Sequence, residues 1–328
     1  MLKEQVLNTI KKYNLISEND KIICGVSGGP DSICMLDILK DLTEKIGFEI
    51  IVCHVNHLIR EEAISDEEYV VNYCKKNNIK CYVKRIDVKN YANNNKQGTE
   101  EAGRTVRYKF FDEILEKENA NKIAIAHNKN DKIETIIMNM LRGSGVSGLR
   151  GIEPKRNNKY IRPLIEIQRA QIEEYCLENN LEPRIDKTNF INDCTRNKIR
   201  NIVIPYIKKE FNPNIINTID RLSSVIEEED KYLEKVTKES FDRLKIKEEK
   251  GLIILNLKEF NKQDRVIKKR LIIYTINKTI GNVQNIEKVN IDDIIKLCDK
   301  NIGNKYLMPN KNIKILVNKN QIFFEAKY

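Results

Sequence analysis

A short loop between an apolar run and a helical pattern constrains this chain more than any other stretch. The loop consists, in order, of Val26, Ser27, Gly28, Gly29, Pro30, Asp31 and Ser32. The two glycines leave its tip almost without side chains. Two adjacent glycines allow positive φ and close backbone approach, so successive N–H groups can converge on an anion at the positive end of the next helix. Ser27 and Ser32 add hydroxyl donors, and Asp31 brings a carboxylate suited to a divalent cation beside phosphates. The loop therefore predicts a phosphate-binding site.

An ordinary strand-to-helix turn uses the same residue types, so the loop alone leaves both interpretations open. The glycine distribution favours the phosphate site, because the chain has 13 glycines in 328 residues and Gly25, Gly28 and Gly29 fall close together. The apolar residues that follow, from Met35 to Ile46, repeat at helical spacing. The pattern is neither G-x-G-x-x-G nor G-x-x-x-x-G-K-S/T. Dinucleotide-binding and P-loop NTPase sites are therefore disfavoured.

Strand-like runs alternate with helical patterns over the first two thirds of the chain. Helical patterns such as 66–76 and 101–116 separate apolar runs at 21–26, 49–55, 80–86 and 122–126. This alternation predicts an α/β fold with a Rossmann-like parallel sheet, which binds ligands beyond the carboxyl ends of its strands. The alternation stops at Asn212 and Pro213. We therefore predict one domain at 1–212 and a smaller, mainly helical domain with short terminal strands at 213–328.

Composition narrows the class of protein. The 58 Lys and Arg residues exceed the 48 Asp and Glu residues by 10, which permits an anionic partner such as RNA without requiring one. The eight cysteines stand singly and none forms C-x-x-C, so zinc and redox sites are disfavoured. No apolar run is long enough for a membrane span, and the first residues lack the apolar core of a signal peptide. We expect a cytoplasmic protein.

Two of the three histidines, His54 and His57, lie at the end of the predicted second strand, with Arg60 three residues further on. A metal pair would need a third ligand, and none stands at a suitable spacing. A strand end that lines a nucleotide pocket is the favoured interpretation, and a structural turn is the alternative.

Charged side chains mark the starts of two further helical patterns. Glu100, Arg104 and Arg107 share one helical face, either as a surface ion pair or as guanidinium groups aimed at phosphates. Asp131 and Glu134 lie one turn apart after the fourth strand-like run. They could hold a cation or an ammonium group, or only favour the helix N-terminus through its dipole.

Three other segments could face RNA. The glycine-rich stretch 142–151 is either a lid, an RNA-facing loop or a plain connector. The basic stretch 184–210, which includes Arg200, and the basic cluster at 262–270 could each contact phosphates or be solvated surface.

Taken together, these motifs resemble the tRNA(Ile)-lysidine synthetase family of the PP-loop ATP pyrophosphatase superfamily. The motifs that carry the resemblance are SGGPDS at 27–32, HVNHLIR at 54–60, EEAGRTVRY at 100–108, HNKNDKIET at 127–135, LRGSGVSGL at 141–149, RPL at 162–164, DKTN with RNKIR within 186–200, and FNPN at 211–214. The family's usual H-H-x-D-D pattern reads His127, Asn128, Lys129, Asn130 and Asp131 here. One histidine and one aspartate are therefore replaced.

The resemblance implies a tRNA-modifying ligase. ATP would adenylate C2 of the wobble cytidine in an isoleucine tRNA with a CAU anticodon, with loss of pyrophosphate. Free L-lysine would then displace AMP and leave lysidine. The resemblance is to compact members of the family, in which residues 213–328 would bind the tRNA, and a homodimer is a further expected partner.

The resemblance also implies roles for individual residues. ATP and Mg²⁺ would be held by Ser27, Gly28, Gly29, Asp31, Ser32 and His54, with Asp31 as the Mg²⁺ ligand. The catalytic residues would be Asp31, Asp131, Glu134 and Arg107. Asp131 and Glu134 would also bind the lysine ammonium group, and Arg104 and Arg200 would contact phosphates or the activated base.

Two other functions stay open at this point. A PP-loop tRNA thiolase is the nearest enzymatic alternative, although such enzymes usually carry paired cysteines that this sequence lacks. The other alternative is a noncatalytic tRNA-binding protein with a relict nucleotide loop. Lysine-dependent conversion of ATP to AMP and pyrophosphate separates both from the ligase.

Overall fold

The computed structural model describes residues 1–58, 63–184, 191–300 and 305–327. The chain divides into two compact units, Met1–Ser224 and Val225–Tyr328. This division falls inside a long helix, a short distance beyond the boundary at 212 and 213 that the sequence predicts. The functions that the sequence gives to the two domains stay predictions.

The first unit alternates strands and helices in chain order. Its elements are α1 (Leu2–Tyr13), β1 (Lys21–Gly25), α2 (Pro30–Ile46), β2 (Glu49–Asn56), α3 (Ala63–Lys76), β3 (Lys80–Arg85), α4 (Val88–Asn95), α5 (Thr99–Lys117), β4 (Lys122–Ile125), α6 (Lys129–Leu141), β5 (Lys155–Arg156), β6 (Tyr160–Ile161), α7 (Arg169–Glu178), α8 (Thr195–Lys198) and α9 (Ile204–Glu210). A 3₁₀ helix spans Val146–Arg150, and one π-helical turn spans Ile199–Val203.

Six strands in the described part of this unit form one sheet, in the order β3-β2-β1-β4-β6-β5. All neighbours are parallel except β5, which is antiparallel to β6. The predicted Rossmann-like parallel sheet is therefore confirmed. The strand order reverses between β1 and β4, and in such sheets ligands bind at this switch point beyond the carboxyl ends of the strands. The loop after β1 and the start of α6 after β4 both lie there.

Strand β1 is buried on both faces. Cys24 packs with α2 on one side, and Ile23 packs with α5 on the other. Gly25 is the last residue of the strand, and a Cβ at this position would lie 2.6 Å from the ring of Phe111. Because Gly25 has no side chain, the Phe111 ring of α5 packs directly against the end of β1, just before the loop.

Helix α10 (Ile215–Leu244) continues from the first unit into the second. The second unit goes on with β7 (Lys245–Glu249), β8 (Leu252–Asn256), α11 (Leu257–Asn261), α12 (Arg265–Ile280), α13 (Lys288–Lys300), β9 (Lys305–Asn310), β10 (Ile313–Asn318) and β11 (Gln321–Ala326). The described strands form an antiparallel sheet in the order β7-β8-β11-β10-β9. The predicted terminal strands are present, and pairing of β11 with β8 joins them to the β7–β8 hairpin.

Candidate functional site

The loop between β1 and α2 is held in shape by Ser32. Its Oγ accepts the N–H of Ser27 at 3.1 Å and donates to the carbonyl of Gly29 at 3.0 Å. The Ser32 side chain is buried, whereas Ser27 is exposed. The two predicted hydroxyl donors therefore differ in exposure, although both take part in the loop: the Ser27 Oγ lies 3.1 Å from the Ser32 Oγ and accepts the N–H of Gly29 at 3.4 Å.

The two glycines give the loop its backbone course. Gly28 has a φ of +93°, which an L side chain rarely adopts, and its carbonyl accepts the N–H of Arg184 at 2.9 Å. Gly29 is the N-cap of α2, and Pro30 occupies the first helical position. The positive end of a 17-residue helix thus follows the loop directly, as the sequence predicts.

Asp31, in the first turn of α2, is surrounded by charged groups. Burial and then the negative charge of Asp131 raise the pKa of Asp31 to about 6, while the charges of Arg169 and Arg200 act in the opposite direction. One carboxylate oxygen, Oδ1, accepts a hydrogen bond from Asn128 Nδ2 at 2.8 Å. A cation placed beside this carboxylate would stabilise its ionised form.

Asp131 and Glu134 lie together on α6, both buried. Arg200 donates from Nε and Nη2 to the two oxygens of Glu134, at 2.7 Å each, and from Nη2 to Asp131 at 3.1 Å. Arg169, at the start of α7, also contacts Asp131, at 3.3 Å. The predicted carboxylate pair is therefore present, and the guanidinium groups of Arg169, Arg196 and Arg200 lie within ion-pair distance of it.

Arg200 is held on the π-helical turn at Ile199–Val203. Such turns are rare and occur often at functional sites. The sequence predicts Arg200 beside phosphates or the activated base, and the structure places it against Glu134. Its contact with a substrate stays a prediction.

The two histidines of β2 and the following turn differ in their bonding. His54 donates from Nδ1 to the carbonyl of Val26 at 2.9 Å, while its Nε2 is buried and, among the described residues, has no hydrogen-bond partner. Burial and then the charge of Arg107 lower the pKa of His57 to about 4. No group of His, Cys, Asp and Glu in the described ranges is arranged to hold a metal. Arg60 of the same motif lies outside these ranges.

Arg104 and Arg107 are exposed on the first turns of α5. Arg104 stacks on the ring of Tyr108, with 5.0 Å between the guanidinium carbon and the ring centroid. Neither arginine has a carboxylate within ion-pair distance in the part of the chain that the structure describes. The surface ion pair with Glu100, which the sequence left open, is therefore not formed there.

Two residues in the crevice around Asp31, Asp131 and Glu134 have no role in the sequence predictions, namely Asn128 and Arg169. Asn128 caps α6, and the box that it forms with Asp131 has a local signature, a capping residue with an acid three positions later. Arg169 contacts the acids only through the tertiary fold, so no local signal could have found it. Within the basic stretch, residues 185–190 lie outside the described ranges.

His127 connects this crevice to a buried arginine. Its Nδ1 accepts a hydrogen bond from Arg162 Nε at 3.2 Å, so the neutral ring carries its proton on Nε2. Burial is the first cause that lowers the pKa of His127 to about 4, and the charge of Arg162 adds to it. Protonation of Nδ1 would break this bond and place two cations side by side.

This arrangement predicts a loss of stability in mild acid. Because the folded pKa lies below the unfolded value of 6.5, the contribution of His127 is complete above pH 6.5 and falls as the pH drops toward 4, by about 1.4 kcal/mol for each pKa unit. His127→Asn keeps an acceptor for Arg162 and does not titrate. Chemical denaturation at pH 7 and pH 5 should show a smaller loss for the variant than for the wild type. An equal loss in both proteins would contradict the prediction.

The fold and the loop define a PP-loop ATP-binding protein, and the PP-loop domain family model matches residues 2–207. Among relatives, the tRNA(Ile)-lysidine synthase of Clostridium acetobutylicum is 46% identical over 323 residues, which are 98% of this chain and 69% of that protein. The synthase of Clostridium tetani is 45% identical over 98% of this chain and 68% of its own length. The chain belongs to the tRNA(Ile)-lysidine synthase family.

The U34-tRNA thiolase of Methanococcus maripaludis shares the fold, with a TM-score of 0.54 and 21% identity over 68% of this chain and 78% of that chain. Identity at this level shows the fold alone, and the synthase relatives do not favour the thiolase alternative. None of the described helices is both long and apolar enough to cross a membrane.

Proposed function

We propose that this chain uses ATP and free L-lysine to convert the wobble cytidine of an isoleucine tRNA with a CAU anticodon into lysidine, with release of AMP and pyrophosphate. The observation that carries the proposal is the meeting of two predicted half-sites at the sheet's switch point. The phosphate-binding loop and the carboxylate pair of α6 lie so close that Asn128 bonds Asp31 and Asp131 at once.

The loop supports the nucleotide half. The backbone of Gly28 and Gly29, the exposed hydroxyl of Ser27 and the N-terminus of α2 suit the phosphates. His54 offers an unpaired ring nitrogen, Nε2, at the end of the neighbouring strand. Because Nδ1 donates to Val26, this nitrogen is an acceptor in the neutral ring, suited to a hydroxyl or amino group of the nucleoside.

Mg²⁺ fits this half-site as a partner of both protein and phosphates. Asp31 is a carboxylate whose charge is opposed by burial and by Asp131, so a cation beside it is favourable. Mg²⁺ is usually held by one or two carboxylates together with phosphates, which agrees with Asp31 as its ligand. When bound, Mg²⁺ would neutralise the charge that develops on the departing pyrophosphate.

Asp131 and Glu134 support the lysine half. Their position on α6, next to Asp31, suits an ammonium group that must reach an adenylated base. The ammonium group would have to replace the guanidinium of Arg200 on Glu134. A carboxylate in this place could then accept the proton that the amine loses before it attacks. Arg200, once released, would be a cation near the leaving AMP.

Arg104 and Arg107 support the contact with tRNA in the first unit, because both residues are exposed and neither pairs with a carboxylate in the described ranges. The basic cluster at 262–270 offers less free charge than its sequence suggests: Arg265 and Lys269 pair with Asp292, and Lys268 pairs with Asp299. Docking of tRNA on residues 213–328 stays a prediction.

Assembly of the chain into a homodimer also stays a prediction, and sedimentation of the purified chain tests it.

The test is a reaction of purified protein with labelled lysine, ATP, Mg²⁺ and transcripts of CAU-anticodon tRNA. We expect lysine to be incorporated into the isoleucine transcript, with AMP and pyrophosphate formed in equal amounts. A methionine tRNA with the same anticodon serves as the matched control substrate. Formation of ADP, or tRNA binding without lysine-dependent turnover, would overturn the proposal.

A further inference from the structure

Asn128 stands where the family's usual pattern has a histidine, and its side chain is completely buried. Its Nδ2 donates to Asp31 Oδ1 at 2.8 Å, and its Oδ1 accepts the N–H of Asp131 at 3.0 Å. Its own N–H donates to Asp131 Oδ2 at 3.1 Å. One residue thus contacts the aspartate of the phosphate-binding loop and an acid of the lysine half-site.

We infer that Asn128 is a positioning residue: it orients the Asp31 carboxylate toward Mg²⁺ and the phosphates, and it fixes this carboxylate relative to the α6 acids. The inference rests on the proposed function, in which Asp31 is the Mg²⁺ ligand. It adds a residue that touches neither the nucleotide nor lysine and that acts only through Asp31 and Asp131.

The two ends of the amide leave Asn128 one orientation. Its oxygen meets an N–H donor, Asp131 N, and its nitrogen meets an acceptor, Asp31 Oδ1. A flip would place the oxygen against a carboxylate and the NH₂ group against an N–H, which loses both bonds. The side chain therefore cannot turn away from Asp31 without also uncapping α6.

Asp31 needs such a restraint because opposing charges act on it. Asp131 repels its carboxylate, while Arg169 and Arg200 attract it. A hydrogen bond from a neutral amide holds Oδ1 without adding a charge that would compete with Mg²⁺. The other oxygen, Oδ2, is left for the cation.

A purely structural role is the competing explanation, because Asn128 is also a good helix cap. Asn128→Ser separates the two roles. Serine caps a helix about as well as asparagine, so α6 keeps its N-terminal bond. Its hydroxyl is too short to cap α6 and reach Asp31 together, so the contact with Asp31 is lost.

The experiment compares ATP affinity with Mg²⁺ and with EDTA. In the wild type, Mg²⁺ should tighten ATP binding. In Asn128→Ser, we expect this Mg²⁺-dependent gain to shrink and turnover to fall by roughly 10- to 100-fold, the effect of losing one hydrogen bond to a charged group. ATP affinity in EDTA should stay close to wild type, and the variant should stay folded, with a melting temperature a little below wild type because the bond to Asp31 is also lost in the free protein.

The matched control is Asn256→Ser. Asn256 caps α11 in the second unit with the same bond, from Glu259 N to Oδ1 at 3.0 Å. This variant loses an asparagine from a helix cap far along the chain, and it should show wild-type turnover and Mg²⁺ dependence. Equal effects in both variants would mean that only capping matters, and the inference would be wrong.

A double variant decides whether Asn128 acts through Asp31. In an Asp31→Asn background, Asn128→Ser should cause no further loss of the Mg²⁺-dependent gain. Additive losses would overturn the inference. The inference would also be wrong if Asn128→Ser kept wild-type turnover and Mg²⁺ dependence while Asp31→Asn was inactive. That result would leave the proposed function intact. A fully active Asp31→Asn would instead overturn the role of Asp31 in the proposed function.

Discussion

Asp31→Asn is expected to abolish lysine incorporation while the protein becomes more stable. The substitution keeps an oxygen that can accept the hydrogen bond from Asn128, and it removes only the negative charge. Loss of the proposed Mg²⁺ ligand should lower kcat/KM by roughly 1,000-fold or more, because metal charge at the leaving group supplies several kcal/mol. Incorporation of labelled lysine under subsaturating ATP measures this loss.

The gain in stability follows from the raised pKa of Asp31. The folded value of about 6 lies above the unfolded value of 3.8, so folding is opposed increasingly as the pH rises from 3.8 through 6. Asparagine removes this opposition. At pH 8 in EDTA the variant should be more stable than the wild type, by about 1.4 kcal/mol for each pKa unit, and at pH 4 the difference should vanish.

Asp41→Asn is the matched control for Asp31→Asn. Asp41 lies on the same helix, at the surface, and pairs with Lys3 and Lys40. Its substitution removes the same charge and should leave turnover unchanged. Unchanged turnover in Asp31→Asn would instead contradict the role of Asp31, and equal stabilities of wild type and variant at pH 8 would contradict the charge argument.

The first half of the site could be predicted from the sequence because its signals are local. One short segment contains the apolar residues of β1, two glycines, Pro30 and the helical spacing after Met35. The strand, the loop and the helix can therefore be predicted from neighbouring residues alone. The parallel sheet follows from the same alternation repeated along the chain, and the structure confirms it.

Partners that are distant in sequence could not be predicted in this way. The bonds of Arg200 to Glu134 join residues 66 positions apart, and the bond of Asn128 to Asp31 spans 97. Helix α4 was not predicted either, because its polar, asparagine-rich sequence hides the two buried residues, Val88 and Ala92, that hold it. Pairing of β8 with β11 likewise depends on the tertiary fold.

The contact between Arg200 and Glu134 leads to a second large predicted effect, on lysine affinity. Substitution of Glu134 should weaken lysine binding, whereas substitution of Arg200 should not. Glu134→Gln keeps the shape of the side chain and removes the charge that would hold the lysine ammonium group. Lysine affinity should fall by roughly 100-fold, about 2.7 kcal/mol, as expected for one partner of a buried, hydrogen-bonded charge pair. Lysine titration by calorimetry, with an ATP analogue present, measures the change.

Arg200→Gln should act differently on binding and on turnover. Arg200 donates to both oxygens of Glu134, so at the proposed lysine site of the wild type the ammonium group would have to displace a guanidinium before it binds. Removal of this competitor should leave lysine affinity unchanged or make it up to about 10-fold tighter, because the binding-competent form is no longer a minor one. Turnover should still fall, since no guanidinium is released toward the reacting phosphate.

Melting temperatures also distinguish Arg200→Gln and Glu134→Gln from the wild type, because each variant changes the charge around the buried carboxylates. Without Arg200, Glu134 and Asp131 are buried with less compensating charge, so Arg200→Gln should melt at a lower temperature than the wild type. Added lysine would restore a cation to the pair, so it should raise the melting temperature more in Arg200→Gln than in the wild type. In Glu134→Gln the same addition should have little effect.

Arg85→Gln is the control, because Arg85 makes a similar two-pronged contact with buried Glu67 in the same unit. It should lose stability without any special response to lysine. Weaker lysine binding in Arg200→Gln would mean that Arg200 helps to bind lysine rather than competing with it. Wild-type lysine affinity in Glu134→Gln would remove Glu134 from the proposed lysine site and leave Asp131 as the carboxylate that holds the ammonium group.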